Sequence, residues 1–500
     1  MVSILWNNLQ EESVLLDTVF TDLKISKLLE NIFDSYQDID EMIDVISKIP
    51  NKETIVYRQE ILTDILEDDN LEFTKLYHEL FNIVGLYYNL QNANELIRRQ
   101  ILFLIYLYNY YNFCNNVVLS IDRIEAKAKG LLNIKEKIVK LLTDNKKFID
   151  NINKIYNNIV STLNFNAMYK DGAPYVQVSF NKPRSLEEDL LDIMDSFGIK
   201  QNKYPKAASR KEINLQFLKE IVLNNIDIYT PIKDIYENYK SLDYLDLKEV
   251  LSELRFYLNI KALFNHLKTK GVKICKANFS DNKETFIKNS YDITLTISNK
   301  EIIPNDFVIN NKQNVIFLLG VNSGGKTCYL RSSSLSYLFA LITGYSFSES
   351  ALIHPVKYFY THFPNEENYG VGEGRLRDEI RRIDAMKENF GEDTICFCNE
   401  TFSSTSEEKA CNLTFDLLND LLSSNTKMLF VTHQYQVFEK IHNEKVVYLA
   451  PVVDEENNNK RTHKIKKVEK GLLSYANDIL VKYGLSKKDL EERVRGMKNE

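Results

Sequence analysis

One glycine-rich segment sets the strongest limit on how this chain can fold. Residues 320–327 read GVNSGGKT and fit the pattern G-x4-G-K-[ST] in full. The segment follows the apolar run Val315–Leu319 and opens a stretch of helical spacing that begins at Cys328. A strand, a glycine loop and a helix in that order form a unit that wraps backbone N–H groups around phosphate oxygens. A chance glycine loop is the alternative, and the order of the elements speaks against it.

The residue types in this loop suit the binding of a nucleotide and Mg²⁺. Glycines let the backbone turn its N–H groups inward around phosphate oxygens. The Lys326 ammonium would reach the β and γ phosphates, and the Thr327 hydroxyl would ligate Mg²⁺. The residues predicted to contact the nucleotide here are Gly320, Val321, Asn322, Ser323, Gly324, Gly325, Lys326, Thr327 and Cys328.

A second candidate site follows the apolar run Thr394–Cys398, which reads as a strand and is followed by Asn399 and Glu400. An Asp is usual at the first of these two positions, where it holds Mg²⁺. The Asn399 amide can still accept a hydrogen bond from metal-bound water, but it brings no charge. Glu400 is the natural base or positioner for an attacking water. The alternative is that this Asn-Glu pair is a surface turn.

A third candidate is His433, at the end of the apolar run Leu429–Val431 and after Thr432. Behind a phosphate loop and an acidic strand, a His here could sense the γ phosphate. The alternative is a core histidine whose hydrogen bonds are satisfied within the fold.

Composition points to a helix-rich globular protein. Hydrophobic residues make up 44% and charged residues 27% of the chain, which excludes wholesale disorder. Only 16 glycines and 9 prolines occur in 500 residues. That scarcity of turn breakers favours long helices and argues against an all-β sandwich or barrel. The net charge of −7 excludes nucleic-acid binding over the whole surface but allows a local basic patch.

The spacing of apolar residues differs between the two halves of the chain, and the two patterns together predict an α + α/β fold. Residues 1 to about 270 show helical spacing of apolar residues, interrupted near 165–185 by an alternating run that predicts a short β insertion. From about residue 285, short apolar runs alternate with helical stretches, as in a mainly parallel sheet. We therefore expect a long-helix core domain at 1–275, an α/β domain at 276–473 and two short helices at 474–500.

The sequence also predicts the cellular compartment. No two of the six cysteines show the CxxC spacing of a zinc or redox site. Residues 1–30 lack the pattern of a secretory signal, and no apolar run approaches the ~20 residues that span a bilayer. We expect a cytoplasmic protein with no membrane partner.

The order of these motifs resembles that of the MutS family of ABC-type ATPases. Residues 320–331, GVNSGGKTCYLR, are similar to the family's GPNMGGKSTYLR, and NETFSSTS at 399–406 and the pair at 432–433 follow in the family's order. The stretch 303–306, IPND, is similar to the family's PND before its P-loop strand, and 464–486 resembles its closing segment. The resemblance covers about 300–490 and is weaker upstream, where 54–68 looks like the start of the family's helical core.

The resemblance implies a P-loop ATPase that uses ATP and Mg²⁺ and works as a homodimer with composite ATP sites. The residues at 474–500 would then be a dimerisation element. Glu400 would be catalytic, Asn399 and Thr327 would hold the metal, and His433 would be the sensor. Ile302 stands where the family has an aromatic residue that stacks on adenine, so stacking would become apolar contact.

The family's signature loop needs separate comment. Its Ser-Thr pair falls here on Gly374 and Arg375. The Arg375 guanidinium could replace a hydroxyl as a phosphate contact supplied to the neighbouring subunit. The alternative is that Arg375, Arg377, Arg381 and Arg382 form a solvated helix face.

The family's mismatch-reading wedge, Phe-x-Glu, has no counterpart upstream, because the two such triplets here, at 347–349 and 390–392, fall in the ATPase half. We expect a shortened MutS-like ATPase that hydrolyses ATP slowly as a dimer and clamps duplex or branched DNA without reading mismatches. Basic residues at 181–184 and 203–210 favour DNA, unless they form an ordinary solvated loop. The alternative function is a nucleotide-switched ATPase acting on a protein or RNA assembly.

Overall fold

The computed structural model shows a mixed helical and sheet protein that divides into two compact units. Unit 1 comprises Met1–Ser3 and Glu67–Leu254, and unit 2 comprises Ile4–Leu66 and Arg255–Glu500. The residues that the structure describes are 3–6, 13–161, 164–170, 173–179, 226–240, 247–298, 300–320, 325–364, 372–402, 404–432, 441, 443–454 and 460–468.

Residues 13–67 form short elements that precede the first unit's long helices. Lys24 adopts a left-handed conformation with φ of 56°, which separates the two short helices on either side of it. The elements are β1 (Ser13–Val14), α1 (Thr18–Asp22), α2 (Ile25–Glu30), α3 (Tyr36–Ile46), β2 (Lys48–Ile49) and α4 (Lys52–Glu67).

The described part of unit 1 contains long helices and a hairpin. The helices are α5 (Glu72–Gln91), α6 (Leu96–Arg123), α7 (Lys129–Asp144), α8 (Lys146–Ser161) and α9 (Ile226–Tyr239), followed by α10 (Leu247–Thr269), which continues into unit 2. The hairpin pairs β3 (Asn164–Lys170) with β4 (Ala173–Ser179) in antiparallel register.

Stacked aromatic rings tie α6 to the helices that follow it. Tyr108 of α6 stacks on Tyr156 of α8 with ring centroids 3.8 Å apart, and Phe103 meets Tyr236 of α9 edge to face at 5.5 Å. Such pairs contribute about 0.5–1.5 kcal/mol each beyond the area that they bury. The aromatic side chains of α6 therefore pack against the neighbouring helices in the core of this unit.

Unit 2 contains a six-stranded sheet with the strand order β12-β13-β14-β9-β15-β16, and all neighbours are parallel except β15 and β16. All residues of β9, β13 and β14 are buried, as expected for parallel strands covered on both faces. The strands are β9 (Val315–Leu318), β12 (Tyr358–His362), β13 (Thr394–Asn399), β14 (Lys427–Val431), β15 (Val446–Asp454) and β16 (Lys460–Lys467).

Helices and a second, mixed sheet complete unit 2. The helices are α11 (Lys326–Thr343), α12 (Gly372–Lys387) and α13 (Glu407–Ser424), and a 3-10 helix spans Ile293–Ser298. The second sheet has the order β6-β11-β7-β8. Its strands, with the separate pair β5 and β10, are β5 (Cys275–Lys276), β6 (Asn278–Phe279), β7 (Thr285–Ser290), β8 (Asn305–Ile309), β10 (Tyr345–Ser346) and β11 (Ser350–Ile353).

Residues 4–66 group with the sheet-containing half, whereas the sequence placed them in a helical domain ending at 275. The reason lies in α4. Arg58 is fully buried, donates to the carbonyl oxygens of Leu5 at 2.9 Å and Ile342 at 3.3 Å, and lies 4.0 Å from the Trp6 ring. These contacts join the first residues to the end of α11 and could not be seen in local sequence.

Among the described residues, no helix is both long enough and apolar enough to cross a bilayer.

Gly344 ends α11 at a point where the Gln59 side chain lies very close to the backbone. Its φ is +77°, and a Cβ there would lie 2.4 Å from the Cβ of Gln59. Gln59 in turn donates to the Gly344 carbonyl at 2.6 Å and to that of Ala277 at 2.8 Å. Gly344 therefore serves both as the left-handed helix end and as the contact point for α4.

We expect Gly344→Ala to lower the free energy of unfolding of unit 2 by about 3 kcal/mol, since left-handed strain of roughly 1–2 kcal/mol adds to the displacement of Gln59. Denaturant titration followed by the fluorescence of Trp6, the sequence's single tryptophan, measures this. Gly271→Ala is the matched control, because Gly271 has φ of +80° with no atom within 4 Å of an added Cβ. Equal losses in the two variants would contradict the crowding argument.

Candidate nucleotide-binding site

Three neighbouring parallel strands end together at one edge of the large sheet. Leu318, the last residue of β9, pairs with Val431, the last of β14, and Val431 pairs with Asn399, the last of β13. The segments that follow these strands therefore start side by side. Ligands of open parallel sheets bind beyond the carboxyl ends of the strands, which is where the sequence placed its candidate residues.

Lys326 is the first residue of α11 and is 4% exposed. Its ammonium donates to the carbonyl oxygen of Gly320 at 2.7 Å. Burial lowers the pKa of Lys326 to about 8, and the Glu400 carboxylate acts in the opposite direction. The side chain is thus still mainly protonated at pH 7 and holds a desolvated positive charge beside the start of the helix.

Two glycines shape the backbone around Lys326. Gly320 has φ of +141°, and an added Cβ would lie 2.8 Å from Cδ of Pro451. Gly325, the N-cap of α11, has φ of +90°, and its Cβ would approach Nδ1 of His463 to 3.3 Å. The N-cap residue Gly325 has no side chain that could cap α11, and the N-terminus of a helix attracts anions.

The segment after β13 is held in an unusual conformation. Glu400 has φ of 49° and Phe402 has φ of 63°. The Glu400 N–H donates to the carbonyl oxygen of Val431 at 2.8 Å, which fixes the residue against the neighbouring strand. Non-glycine residues at positive φ cost about 1–3 kcal/mol and concentrate at functional sites.

A cavity of about 450 Å³ joins these elements. Residues predicted from sequence that line it are Ile302, Gly325, Lys326, Thr327, Cys328 and Glu400. Further lining residues that the sequence analysis missed include Asp292, Lys300, Asn305 and His463. Asn305 belongs to the IPND stretch but was not singled out as a site residue, whereas the other three lie in no motif, so no local signal pointed to them.

Asn305 builds one wall of this cavity. Its side-chain amide donates to the backbone oxygen of His463 at 3.1 Å, and its side-chain oxygen accepts from the Ile465 N–H at 2.8 Å. The residue therefore joins β8 to β16. The IPND stretch before the glycine loop therefore holds β8 against β16 through Asn305.

The described residues fit a small hydrated cation that shares phosphate oxygens. Asn399 is 7% exposed, and its Oδ1 has no hydrogen-bond partner among the described residues. Thr327 is half-buried at the cavity. No cluster of three or more His, Cys, Asp or Glu side chains able to hold a metal occurs in the described part of the chain.

Other predicted site residues lie outside the described part of the chain. These are Val321, Asn322, Ser323, Gly324 and His433. Arg375 belongs to α12, but its side chain is likewise outside the description.

A buried polar network, which sequence reasoning missed, fastens α12. Arg382 donates to Asp22 of α1 at 2.7 Å, and Thr361 at the end of β12 donates to the same carboxylate oxygen at 2.8 Å. Burial raises the pKa of Asp22, opposed mainly by Arg382. Arg382 therefore does not belong to a solvated arginine face, whereas Arg381 is exposed.

A second tether connects α12 to the Glu400 segment. The Glu379 carboxylate accepts a hydrogen bond from the Ser404 hydroxyl at 3.0 Å and also bonds the backbone of Ser404 and Phe402. Burial raises the pKa of Glu379. The helix that carries Arg375 and the segment that carries Glu400 are thus joined directly.

Comparison with known proteins agrees with this geometry. Residues 316–486, which include β9, α11 and the strands after it, match the family described as MutS domain V. The chain is 20% identical over 426 residues to "MutS protein homolog 4" of Mus musculus, which covers 81% of this chain and 43% of that protein. It is 21% identical over 369 residues to "DNA mismatch repair protein MutS" of Clostridioides difficile (strain 630), covering 70% and 37% respectively.

These matches support a divergent MutS-family protein. It spans less than half the length of the curated relatives named above. The resemblance read from the motifs is therefore confirmed at the level of the family. The cavity lies among residues at and just before the matched region, at the helix that follows its first strand.

Removing one partner of the Asp22–Arg382 pair should be strongly destabilising. The side chains are 5% and 17% exposed, and an uncompensated buried charge costs about 3–5 kcal/mol. We expect Asp22→Ala to lower the free energy of unfolding by that amount in denaturant titrations followed by Trp6 fluorescence. Asp420→Ala is the control, because the Lys387–Asp420 pair is equally short at 2.7 Å but half-exposed and contributes at most about 1 kcal/mol. Similar losses in both variants would show that burial does not decide the effect.

Proposed function

We propose that this MutS-family chain binds ATP with Mg²⁺ at the cavity in front of α11 and hydrolyses ATP slowly. The observation that carries the proposal is the joint position of Lys326 and Glu400. A buried ammonium and an uncapped helix start attract the phosphates, while a carboxylate on a strained turn lines the same cavity. We further propose that this half has the P-loop ABC-type ATPase fold, which the parallel sheet and the domain V match support.

The proposed roles follow from chemistry. Lys326, with the N–H groups of the glycine loop from Gly320 to Gly325, binds the phosphates. Glu400 orients the attacking water and accepts its proton, and His433 senses the γ phosphate. Thr327 and Asn399 hold Mg²⁺ directly or through water; the ion, when bound, neutralises charge on the phosphate oxygens.

Two substitutions separate binding from hydrolysis. Lys326→Ala should weaken ATP affinity by roughly 10- to 100-fold, because it removes a charge-assisted contact of about 1.5–3 kcal/mol. Glu400→Gln should leave ATP affinity nearly unchanged and lower the hydrolysis rate by about 100-fold or more. Binding is measured by calorimetry and hydrolysis by phosphate release.

Glu408→Gln is the matched control for these measurements, since Glu408 is an exposed acid on α13. It should hydrolyse ATP at the parental rate. If Glu400→Gln hydrolyses ATP at the parental rate, Glu400 is not the catalytic residue. If Lys326→Ala binds ATP with unchanged affinity, the phosphates do not bind in this cavity.

We also propose a homodimer with composite sites. α12 is joined to the Glu400 segment through Glu379. Contact between α12 and the nucleotide bound to the partner subunit would therefore change the position of Glu400. Arg375 is the proposed contact in trans. Residues 474–500 are the proposed dimerisation element, after a helical core at 1–275 and the ATPase domain at 276–473.

We propose DNA as the partner that nucleotide binding controls. The support is the printed name of one relative, "DNA mismatch repair protein MutS", and the basic residues Lys203, Lys206, Arg210 and Lys211, which lie outside the described part of the chain. Contacts of such residues go to backbone phosphates, which carry no sequence information. The net charge of −7 limits affinity, so binding is expected in one nucleotide state, when the dimer closes.

Duplex binding should therefore weaken steeply with salt, with a log–log slope of about −0.9 per neutralised phosphate, and should distinguish paired from mispaired duplex poorly. Charge reversal at the four basic residues should reduce it, whereas reversal at Lys137 and Lys140, exposed on α7, should not. Fluorescence anisotropy with ATP and with ADP measures both. Absence of binding to duplex, mismatched and branched DNA at low salt would favour a protein or RNA assembly as the partner.

A further inference from the structure

Asp292 is a buried carboxylate whose two oxygens have different surroundings. It lies between β7 and the 3-10 helix, and its side chain is 2% exposed. Oδ1 accepts hydrogen bonds from the Thr294 N–H at 3.1 Å and the Thr294 hydroxyl at 2.7 Å. Oδ2 has no hydrogen-bond partner among the described residues. The Arg331 Nε atom is 3.8 Å from it, which is too long for a hydrogen bond.

This carboxylate lines the cavity that also contains Lys326, Thr327 and Ile302. Cys328, which follows Thr327 in the first turn of α11, lines the cavity too, and its thiol donates a hydrogen bond to the Asp292 carboxyl group. Asp292 thus faces the same space as the residues proposed to hold phosphate, from a different segment of the chain.

The chemistry of Oδ2 restricts what can meet it. A buried acceptor without a partner costs about 1–3 kcal/mol or more, and a ligand donor that reached it would recover that cost. A phosphate cannot serve, because its oxygens are acceptors with the same sign of charge. The nucleoside half of a purine nucleotide does carry donors, namely the ribose hydroxyls and an exocyclic amino group.

We propose that Asp292 determines nucleotide specificity by accepting, through Oδ2, a hydrogen bond from the nucleoside half of the bound nucleotide. The inference rests on the proposed ATP-binding function and extends it. Phosphates lie toward Lys326, and the nucleoside lies toward Asp292 and Ile302. Arg331 compensates part of the carboxylate's charge without occupying the oxygen that the ligand uses.

The test compares ATP with three analogues that each lack one donor: 2′-deoxy-ATP, 3′-deoxy-ATP and purine riboside triphosphate, which has hydrogen in place of the 6-amino group. Calorimetry on the full chain should show ATP binding about tenfold more tightly than one of them, the size expected for one hydrogen bond to a charged group. Whichever analogue is weak identifies the ribose or the base as the donor. Asp292→Ala should lower ATP affinity to that of the weak analogue and leave the analogue's own affinity unchanged.

Asp292→Asn provides a second variant of nearly the same shape, in case the Ala variant folds poorly. Because the amide oxygen accepts without charge, the tenfold preference should fall to about two- to threefold. Asp306→Asn is the matched control, since Asp306 is an exposed acid on neighbouring β8 that accepts from the Asn289 N–H. It should keep the wild-type preference.

The possible results distinguish a failure of the proposed role of Asp292 from a failure of the proposed ATP binding. Wild-type protein that binds ATP and all three analogues equally well, or Asp292 variants that keep the full preference, would overturn the role of Asp292 and leave ATP binding standing. Wild-type protein that binds none of the four nucleotides would overturn both.

Discussion

The in-register ends of three parallel strands are the constraint on which the candidate site depends. Leu318, Asn399 and Val431 are paired neighbours across β9, β13 and β14. Because their carboxyl ends coincide, the glycine loop and the acidic segment leave the sheet side by side. A shift of one residue in either pairing would move Glu400 relative to Lys326 and turn every side chain of the shifted strand to the other face.

The same site contains a desolvated ammonium group and two buried side-chain oxygens that have no hydrogen-bond partner among the described residues. Burial lowers the pKa of Lys326 to about 8, and Asn399 Oδ1 and Asp292 Oδ2 have no hydrogen-bond partner among the described residues. Each of these features is unfavourable in the protein alone and becomes favourable if a polyanion, a hydrated cation and a nucleoside supply the missing contacts. The positive φ angles at 400 and 402 add strain, and Glu379 holds that segment in place. Such a balance is typical of a site organised before its ligand arrives.

The sequence predicted what local pattern controls. The apolar runs at 315–319, 394–398 and 429–431 became β9, β13 and β14, because strands covered on both faces need continuous apolar residues. The motif likewise placed Lys326 at the start of α11. Long-range contacts escaped prediction: Asp22 and Arg382 are 360 positions apart, and Arg58 reaches Ile342 across 284 positions. Asp292 escaped for the same reason, since only the folded chain brings it to the cavity.

The most direct measurement of the central claim is hydrogen–deuterium exchange of the full chain with and without ATP and Mg²⁺, read by mass spectrometry. If the cavity in front of α11 is the nucleotide site, ATP should slow exchange in peptides covering 320–329 and 399–404, because phosphates would occupy the N–H groups of the glycine loop and fix the segment after β13. Exchange that stays unchanged in both peptides at saturating ATP, or slows only elsewhere in the chain, would contradict the account.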